Sequence, residues 1–225
     1  MKTNYAGHDR QYQKRRAAGK PGWADDDVIA ENSAILADVF QSPHFPRKGR
    51  LLEMGCGAGD MTLGLAALGY AVSGVDISAV AVEWARDKAR ERGLSADFRV
   101  GSVLDLADYA DDSFDVVLDG HCLHCIIGAD RADFLASARR VLKPGGVLHI
   151  NTMCGDHLAN RFPEQFDPES RCQIINGVAL RYTGHAEDIV AEVQAAGLEI
   201  IQSKVVLSVS DNASDMLLID ACQAE

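Results

Sequence analysis

The chain is poor in positive charge and has no extended basic block. It carries 22 Lys and Arg against 33 Asp and Glu among 225 residues, which gives a formal net charge of −11. No basic run extends beyond Lys14-Arg15-Arg16, whereas contacts with nucleic-acid phosphates require clustered Lys and Arg. We therefore expect no nucleic-acid partner.

Long apolar stretches are also lacking. No run approaches the ~20 apolar residues that a membrane span needs, and the first residues are polar and unlike a signal peptide. The six cysteines therefore indicate reduced thiols in a cytoplasmic protein. The length suits one domain with a sizeable core, and we expect no membrane partner and a monomer or homodimer.

The most informative stretch is an apolar run, Leu51–Met54, followed by glycines at 55, 57 and 59. This pattern predicts a buried parallel strand, a tight turn and the start of a helix. A dinucleotide site has the spacing G-x-G-x-x-G, but here Asp60 stands at the third glycine position. Glu53 and Asp60 would flank the turn with negative charge, which disfavours a pyrophosphate and favours a ligand carrying positive charge.

Strand and helix patterns alternate along the rest of the chain, which predicts a parallel sheet with right-handed crossovers. The last two strands flank the turn Ser210–Ala213 and are therefore antiparallel. The predicted strands are Ala71–Asp76, Ala96–Val103, Phe114–Asp119, Val147–Met153, Leu198–Ser208 and Asp215–Cys222. The predicted helices are Asp60–Leu68, Ser78–Arg92, Asp130–Leu142 and Ala186–Ala196.

Two motifs carry a family resemblance. Glu53-x-Gly55-x-Gly57-x-Gly59 resembles the first motif of the class I S-adenosylmethionine-dependent methyltransferases, and the run 143–146, Lys-Pro-Gly-Gly, resembles their signature before the fifth strand. The resemblance covers about residues 50–222. It implies a doubly wound, Rossmann-like α/β fold whose seven-stranded sheet has order 3-2-1-4-5-7-6, an antiparallel last strand and helices on both faces. It also implies S-adenosyl-L-methionine as cofactor and S-adenosyl-L-homocysteine as product.

The segments outside this core are predicted to cover the site. Residues 1–49 would form an arm and helix, with a short helix at Gln11–Ala18 and a second from the acidic cap at 25–27 to about Gln41. Tyr12 and Trp23 either anchor this arm or cover the cofactor. Residues 50–225 would form the methyltransferase core, in which the irregular loop 154–182 is a substrate-binding insertion.

Several strand ends are candidate cofactor contacts. Asp76 ends the second strand, where a carboxylate can accept both ribose hydroxyls or, alternatively, cap a helix. By resemblance, Ile77 lies against adenine, and Ser102 stands where many members carry Asp. The full set of predicted cofactor-binding residues is Glu53, Gly55, Cys56, Gly57, Gly59, Asp76, Ile77, Ser102, Val103, Asp119, Gly120, Tyr12 and Trp23.

The run 121–125, His-Cys-Leu-His-Cys, follows the fourth strand at the edge where such folds bind ligands. His121 and His124 are the predicted catalytic residues, because a neutral imidazole is a suitable base near pH 7. Cys122 and Cys125 are a redox pair or simply small buried hydrophobes. We predict no metal site, since the run is compact and no second Cys-x-x-Cys completes one. His157, Tyr182 and His185 are alternative bases.

The sequence thus predicts an enzyme that methylates a small molecule at sulfur, selenium, tellurium, arsenic or a heterocyclic nitrogen or oxygen. Two alternatives stay open. One is a non-catalytic regulatory partner that binds S-adenosylmethionine, and the other is a methyltransferase acting on a protein. The first is disfavoured by the intact Asp76, and the second by the missing Asn/Asp-Pro-Pro-Tyr tetrapeptide after the fourth strand.

Overall fold

A computed structural model describes residues 1–25, 36, 39–208 and 214–223. The strands are β1 (Arg50–Met54), β2 (Ala71–Asp76), β3 (Asp97–Val100), β4 (Phe114–Asp119), β5 (Leu142–Cys154), β6 (Phe166–Asp167), β7 (Cys172–Ile175), β8 (Val178–Tyr182), β9 (Leu198–Val206) and β10 (Asp215–Gln223). The helices are α1 (Gly7–Ala17), α2 (Asp60–Ala67), α3 (Ala79–Arg92), α4 (Asp130–Val141), α5 (His157–Arg161) and α6 (Ala186–Ala195). Short 3₁₀ helices occupy Leu123–Cys125 and Pro163–Gln165.

Seven strands form the main sheet in the order β3-β2-β1-β4-β5-β10-β9. β1 pairs in parallel with β2 and β4, while β10 is antiparallel to both β5 and β9. Counted within this sheet, β9 and β10 are the sixth and seventh strands. The predicted order 3-2-1-4-5-7-6, with a reversed last strand, is therefore confirmed.

Both faces of the sheet are covered, as the apolar run of β1 requires. Leu52 and Met54 belong to a large core cluster with Phe134 of α4, whereas Leu51 packs into a second cluster with Phe45. Successive strand residues face opposite sides of a sheet, so a strand buried on both sides carries no polar alternation. This explains why Leu51, Leu52 and Met54 of β1 are all apolar, with the buried Glu53 between them.

Some predicted boundaries differ from the observed ones. β5 begins at Leu142, directly after α4, so the Lys-Pro-Gly-Gly run lies within an irregular strand pairing rather than in a separate loop. The third strand is shorter than predicted. Most of the predicted helix from the acidic cap to Gln41, and the turn Ser210–Ala213, lie outside the described residues.

The prediction that residues 154–182 form an irregular loop is wrong in one respect, because much of this segment is regular. Strands β6, β7 and β8 form a separate three-stranded antiparallel sheet, called the small sheet below. β7 and β8 are joined by Asn176-Gly177, and both residues have positive φ, at 51° and 75°. Asn-Gly is the preferred two-residue hairpin turn because it tolerates that conformation, so the sequence held a signal for this hairpin.

In the described part of the chain, no helix combines the length and apolarity needed to cross a membrane.

Candidate active site

The turn after β1 depends on its glycines. Gly55, Gly57 and Gly59 have φ of 74°, 51° and 77°, a region that favours glycine. A Cβ on Gly57 would lie 2.3 Å from the Tyr12 hydroxyl, and one on Gly59 would lie 2.8 Å from Ala85 Cβ. The turn therefore needs glycine for its backbone conformation and for the close approach of its neighbours.

Four N–H groups of this turn, those of residues 55, 56, 57 and 59, are bonded inside the protein. Gly55 and Cys56 donate to the Val75 carbonyl, and Gly59 donates to the Cys56 carbonyl. Gly57 donates to Asp76 Oδ2 at 2.9 Å. A pyrophosphate site needs free N–H donors at the helix N-terminus, so this turn is arranged for a ligand held by shape and carboxylates.

Glu53 lies beneath the turn and is buried. Its Oε2 accepts a hydrogen bond from Thr62 Oγ1. Burial is the main cause that raises the pKa of Glu53 to about 8. A Cβ on Gly120 would lie 2.5 Å from Glu53 Oε1, so the glycine after β4 leaves room for this carboxyl group.

Asp60, which was predicted to flank the turn with negative charge, forms an ion pair within the protein. Lys88 Nζ of α3 donates to Asp60 Oδ1 at 2.6 Å, and Lys88 also lies over the Trp84 ring. The charge of Asp60 is therefore offset by an ammonium group on the neighbouring helix. This pairing weakens the repulsion of a pyrophosphate expected from Asp60, which remains a prediction.

Asp76 ends β2 and is bonded on both oxygens. Oδ2 accepts from Gly57 N, and Oδ1 accepts from Ser78 N at 2.8 Å. Burial raises the pKa of Asp76, and the Ser78 and Gly57 N–H groups act in the opposite direction. Ser78, rather than Asp76, caps α3 through its bond from Ala81 N. Asp76 thus fixes the glycine turn, and its place at the strand end also suits a ribose.

The other predicted contacts on this side differ in exposure. Ile77 is 43% exposed and offers an apolar surface at the rim. Ser102 Oγ accepts from Leu104 N at 3.1 Å. Val103 is buried in the large core cluster, so its side chain supports the fold instead of lining the site.

Helix α1 packs over the glycine turn. Asp9 Oδ1 accepts from Ser78 Oγ and from Val80 N, at 2.8 and 3.1 Å. Tyr12 is only 6% exposed and shares a cluster with Ala58. Trp23 is 42% exposed and packs on Tyr12 with ring centroids 5.1 Å apart, so it supports Tyr12 from outside.

The arm also reaches the far side of the site. Tyr5 donates to Asp130 Oδ2 at 2.7 Å and accepts from Ile127 N at 3.2 Å. The Lys2 carbonyl accepts from Ala179 N of the small sheet. One short segment thus connects the glycine turn, the region after β4 and the small sheet.

The end of β4 contains a buried carboxyl group. Asp119 Oδ1 accepts from Cys122 N and Leu123 N, at 2.7 and 3.0 Å. Burial raises the pKa of Asp119 to about 7. Its Oδ2 has no hydrogen-bond partner among the described residues. Asp119 therefore shapes the turn that carries the two histidines and keeps one oxygen unbonded.

The two histidines are brought together but are poor proton acceptors. Their ring centroids are 6.4 Å apart, and His121 has a positive φ of 61°. Burial lowers the pKa of His121 to about 4 and holds that of His124 well below its usual range. Both rings are neutral at pH 7, and general-base action by either remains a prediction.

Cys122 and Cys125 are free thiols in this turn. Burial raises the pKa of Cys122 well above its usual range and that of Cys125 to about 11. A Cβ on Gly55 would lie 2.9 Å from Cys122 Sγ, so Cys122 packs against the glycine turn. Buried thiols of high pKa are weak nucleophiles, which favours a packing role for both cysteines.

Two polar residues near the histidines were not predicted. Asn151 of β5 places Nδ2 3.1 Å from His121 Nε2. Arg181 of β8 lies close enough for its charge to lower the pKa of His124 and Cys125. A polar residue inside the apolar run of β5 is a signal for Asn151. The sequence offers no comparable signal for Arg181, because only folding brings β8 beside the end of β4.

Comparison with known proteins matches this geometry. Residues 52–150 match the family described as "Methyltransferase domain". A ubiquinone biosynthesis O-methyltransferase of Cereibacter sphaeroides is 36% identical over 141 residues, which is 62% of this chain and 53% of that protein. One from Caulobacter vibrioides is 34% identical over 126 residues, 56% of this chain and 49% of that protein. The chain spans about half the length of these curated relatives.

A solved structure extends the likeness to the whole fold. The 1,6-didemethyltoxoflavin-N1-methyltransferase of Burkholderia thailandensis, solved with S-adenosylhomocysteine, has a TM-score of 0.72 at 22% identity. The match covers 98% of this chain and 87% of that one. The glycine motif and the sheet order agree with the match of residues 52–150 to a methyltransferase domain, and the likeness to this solved structure shows a common fold.

Proposed function

We propose that this chain transfers the methyl group of S-adenosylmethionine to a small-molecule acceptor. The observation that carries the proposal is the glycine turn, whose N–H groups are used internally and whose neighbours are Glu53 and Asp76. Such a turn suits a cationic ligand with a ribose. The relatives named as ubiquinone biosynthesis O-methyltransferases favour a hydroxyl oxygen as acceptor atom, and the toxoflavin neighbour favours a heterocyclic nitrogen.

In the proposed step, a lone pair of the acceptor atom attacks the methyl carbon, the sulfonium S–C bond breaks, and its electron pair returns to sulfur. S-adenosylhomocysteine is the product, and a proton carried by the acceptor atom leaves. The protein mainly aligns the two reactants. Because His121 has a pKa of about 4, a weakly acidic acceptor that ionises near pH 7 fits this site better than an alcohol.

The cofactor set remains the predicted one, with adjusted roles. Glu53, Asp76 and the three glycines form the wall of the turn, Ile77 and Ser102 lie at the rim, and Tyr12 covers the turn from α1. Val103 acts through the core, and Trp23 acts through Tyr12. Asp119 and Gly120 connect this wall to the histidines.

We further propose that residues 1–49 and 154–182 together cover the acceptor. Support comes from the backbone bond between the Lys2 carbonyl and Ala179 N, and from the bond of Tyr5 to Asp130. Both segments contact the edge of the sheet at which parallel strands end and ligands bind in such folds. A cytoplasmic location remains part of this proposal.

Calorimetric titration with S-adenosylmethionine, S-adenosylhomocysteine and NAD tests the cofactor assignment, and we expect binding of the first two only. Tighter binding of NAD would reject it. Release of S-adenosylhomocysteine in the presence of candidate phenols, heterocyclic amines and thiols then tests the reaction. Cofactor binding without turnover of any acceptor class would favour the non-catalytic alternative.

A further inference from the structure

Arg181 carries a positive charge that no carboxylate of the described residues neutralises. It lies on β8 opposite Gln173 of β7 and is partly buried. No hydrogen bond or ion pair engages its guanidinium within the described part of the chain. Two arginines of the same region differ, since Arg131 pairs with Glu192 and Arg171 with Asp156.

The fold holds Arg181 beside the histidines. β8 packs on the 3₁₀ helix Leu123–Cys125, and Ala179 of β8 shares an apolar cluster with Ile127. Arg131 stacks over the ring of Tyr182, 4.0 Å from its centroid, and its Nη1 donates to the Leu123 carbonyl. These contacts fix the strand on both sides of Arg181, which places this residue beside the segment after β4.

Buried polar atoms at the same place lack partners. Asp119 Oδ2, His124 Nδ1 and Asn151 Oδ1 have no hydrogen-bond partner among the described residues. Buried polar groups are almost always hydrogen-bonded, and leaving one unbonded costs stability. Asn151 Oδ1 can only accept a hydrogen bond, so it favours a ligand that carries a donor, whereas His124 Nδ1 donates or accepts according to the tautomer. These atoms therefore favour a polar ligand at the end of β4.

The net charge of the whole protein makes the positive charge of Arg181 informative. A formal net charge of −11 repels small anions in general. An anionic ligand would need a local cation, and a guanidinium without a carboxylate partner can bind a carboxylate in bidentate fashion. A neutral ligand would gain nothing from an unneutralised arginine at this place.

We propose that the methyl acceptor is a small organic anion, a carboxylate or an ionised phenol, and that Arg181 binds its negative charge. Asn151 Oδ1 accepts a hydrogen bond from a donor group that the same acceptor carries, and His124 Nδ1 bonds a further polar atom. This inference rests on the proposed methyl-transfer function, because it identifies the class of acceptor that the same site takes.

The test compares benzoate with benzamide, two probes of nearly the same shape that differ in charge. Binding of each is measured by calorimetry with and without S-adenosylhomocysteine. We expect the wild-type protein to bind benzoate about 10- to 100-fold more tightly than benzamide, as a charge-assisted hydrogen bond allows. Arg181→Gln should abolish this preference, and Arg181→Lys should keep part of it.

Lys204→Gln is the matched control, because it removes one positive charge from an exposed position on β9. It should leave the preference for benzoate unchanged. Equal binding of the two probes, binding of neither, or a preference that survives in Arg181→Gln would overturn the proposal. Failure of the wild type to bind S-adenosylhomocysteine would reject the methyl-transfer function by a separate measurement.

Discussion

The two halves of the site are built by different means. The cofactor half, at the ends of β1 and β2, uses backbone conformation, with three glycines of positive φ and a carboxylate that binds the turn. The acceptor half, at the ends of β4 and β5, uses side chains from separate strands, and three of its buried polar atoms lack partners. In the proposed function, cofactor recognition therefore rests on a local stretch of the chain, whereas acceptor recognition depends on side chains that the fold brings together.

The arm joins the two halves, so its removal should give the largest effect. Deleting residues 1–23 removes Tyr12 from the glycine turn and Tyr5 from Asp130. We expect a folded, cofactor-binding protein in which methyl transfer is largely lost, because the proximity contribution can reach ~7–11 kcal/mol. Turnover of S-adenosylmethionine and circular dichroism measure the two properties.

Amide exchange separates a cover from a fixed strap. Protection of α1 should rise when S-adenosylhomocysteine is added. Full activity after the deletion would show that the arm is not needed to cover the site. An arm that is fully protected without ligand would be a fixed structural element. Tyr5→Phe is the milder companion variant, since it removes only the hydroxyl that bonds Asp130.

The second-largest effect should come from a substitution in the cofactor half alone. Asp76→Ala removes the acceptor of the Gly57 and Ser78 N–H groups and the proposed ribose partner. We expect cofactor affinity to fall by about 1.5–3 kcal/mol, together with a lower melting temperature. Asp108→Ala, at an exposed aspartate after β3, should change neither. A lower melting temperature with normal affinity would limit Asp76 to holding the turn.

Glu53 and His121 should contribute to the pH dependence of stability with opposite signs. Folding raises the pKa of Glu53 from 4.5 to about 8. The folded protein keeps this proton where the unfolded chain has released it, so this group lowers the free energy of unfolding as pH rises through that window. Folding lowers the pKa of His121 from 6.5 to about 4, so this group raises the free energy of unfolding with pH between those values.

Urea denaturation at several pH values tests the contributions of both groups to the free energy of unfolding. Glu53→Gln should remove the downward contribution between pH 4.5 and 8, and His121→Asn should remove the upward one between pH 4 and 6.5. Variants whose unfolding free energy follows the wild-type pH profile would show that the two groups titrate as they do in the unfolded chain.

The smallest effect on the cofactor should come from Asp60. Because Lys88 already offsets its charge, Asp60→Asn should change cofactor affinity by less than about 0.5 kcal/mol. The variant should also remain unable to bind NAD. Gain of NAD binding, measured by the same calorimetry, would restore the predicted repulsion by Asp60.

Much of the fold was predictable because its signals are local. The strand–helix alternation predicted a parallel sheet, and the family resemblance of the glycine motif implied the sheet order that the structure has. The small sheet was not predicted, because residues 154–182 show no clear hydrophobic period. The Asn176-Gly177 pair is nevertheless a local signal for its hairpin. The pairing of Asp60 with Lys88 could not be predicted, since it depends on how two helices pack.

The sequence by itself determined the glycine turn and the acidic strand ends, because each depends on residues within a few positions of one another. Only the tertiary structure decided which groups meet at the acceptor half. His121 and Asn151 are 30 positions apart, and Arg181 comes near His124 because the small sheet packs on the segment after β4. Burial in that contact also sets the pKa of both histidines, which no spacing of residues along the chain can determine.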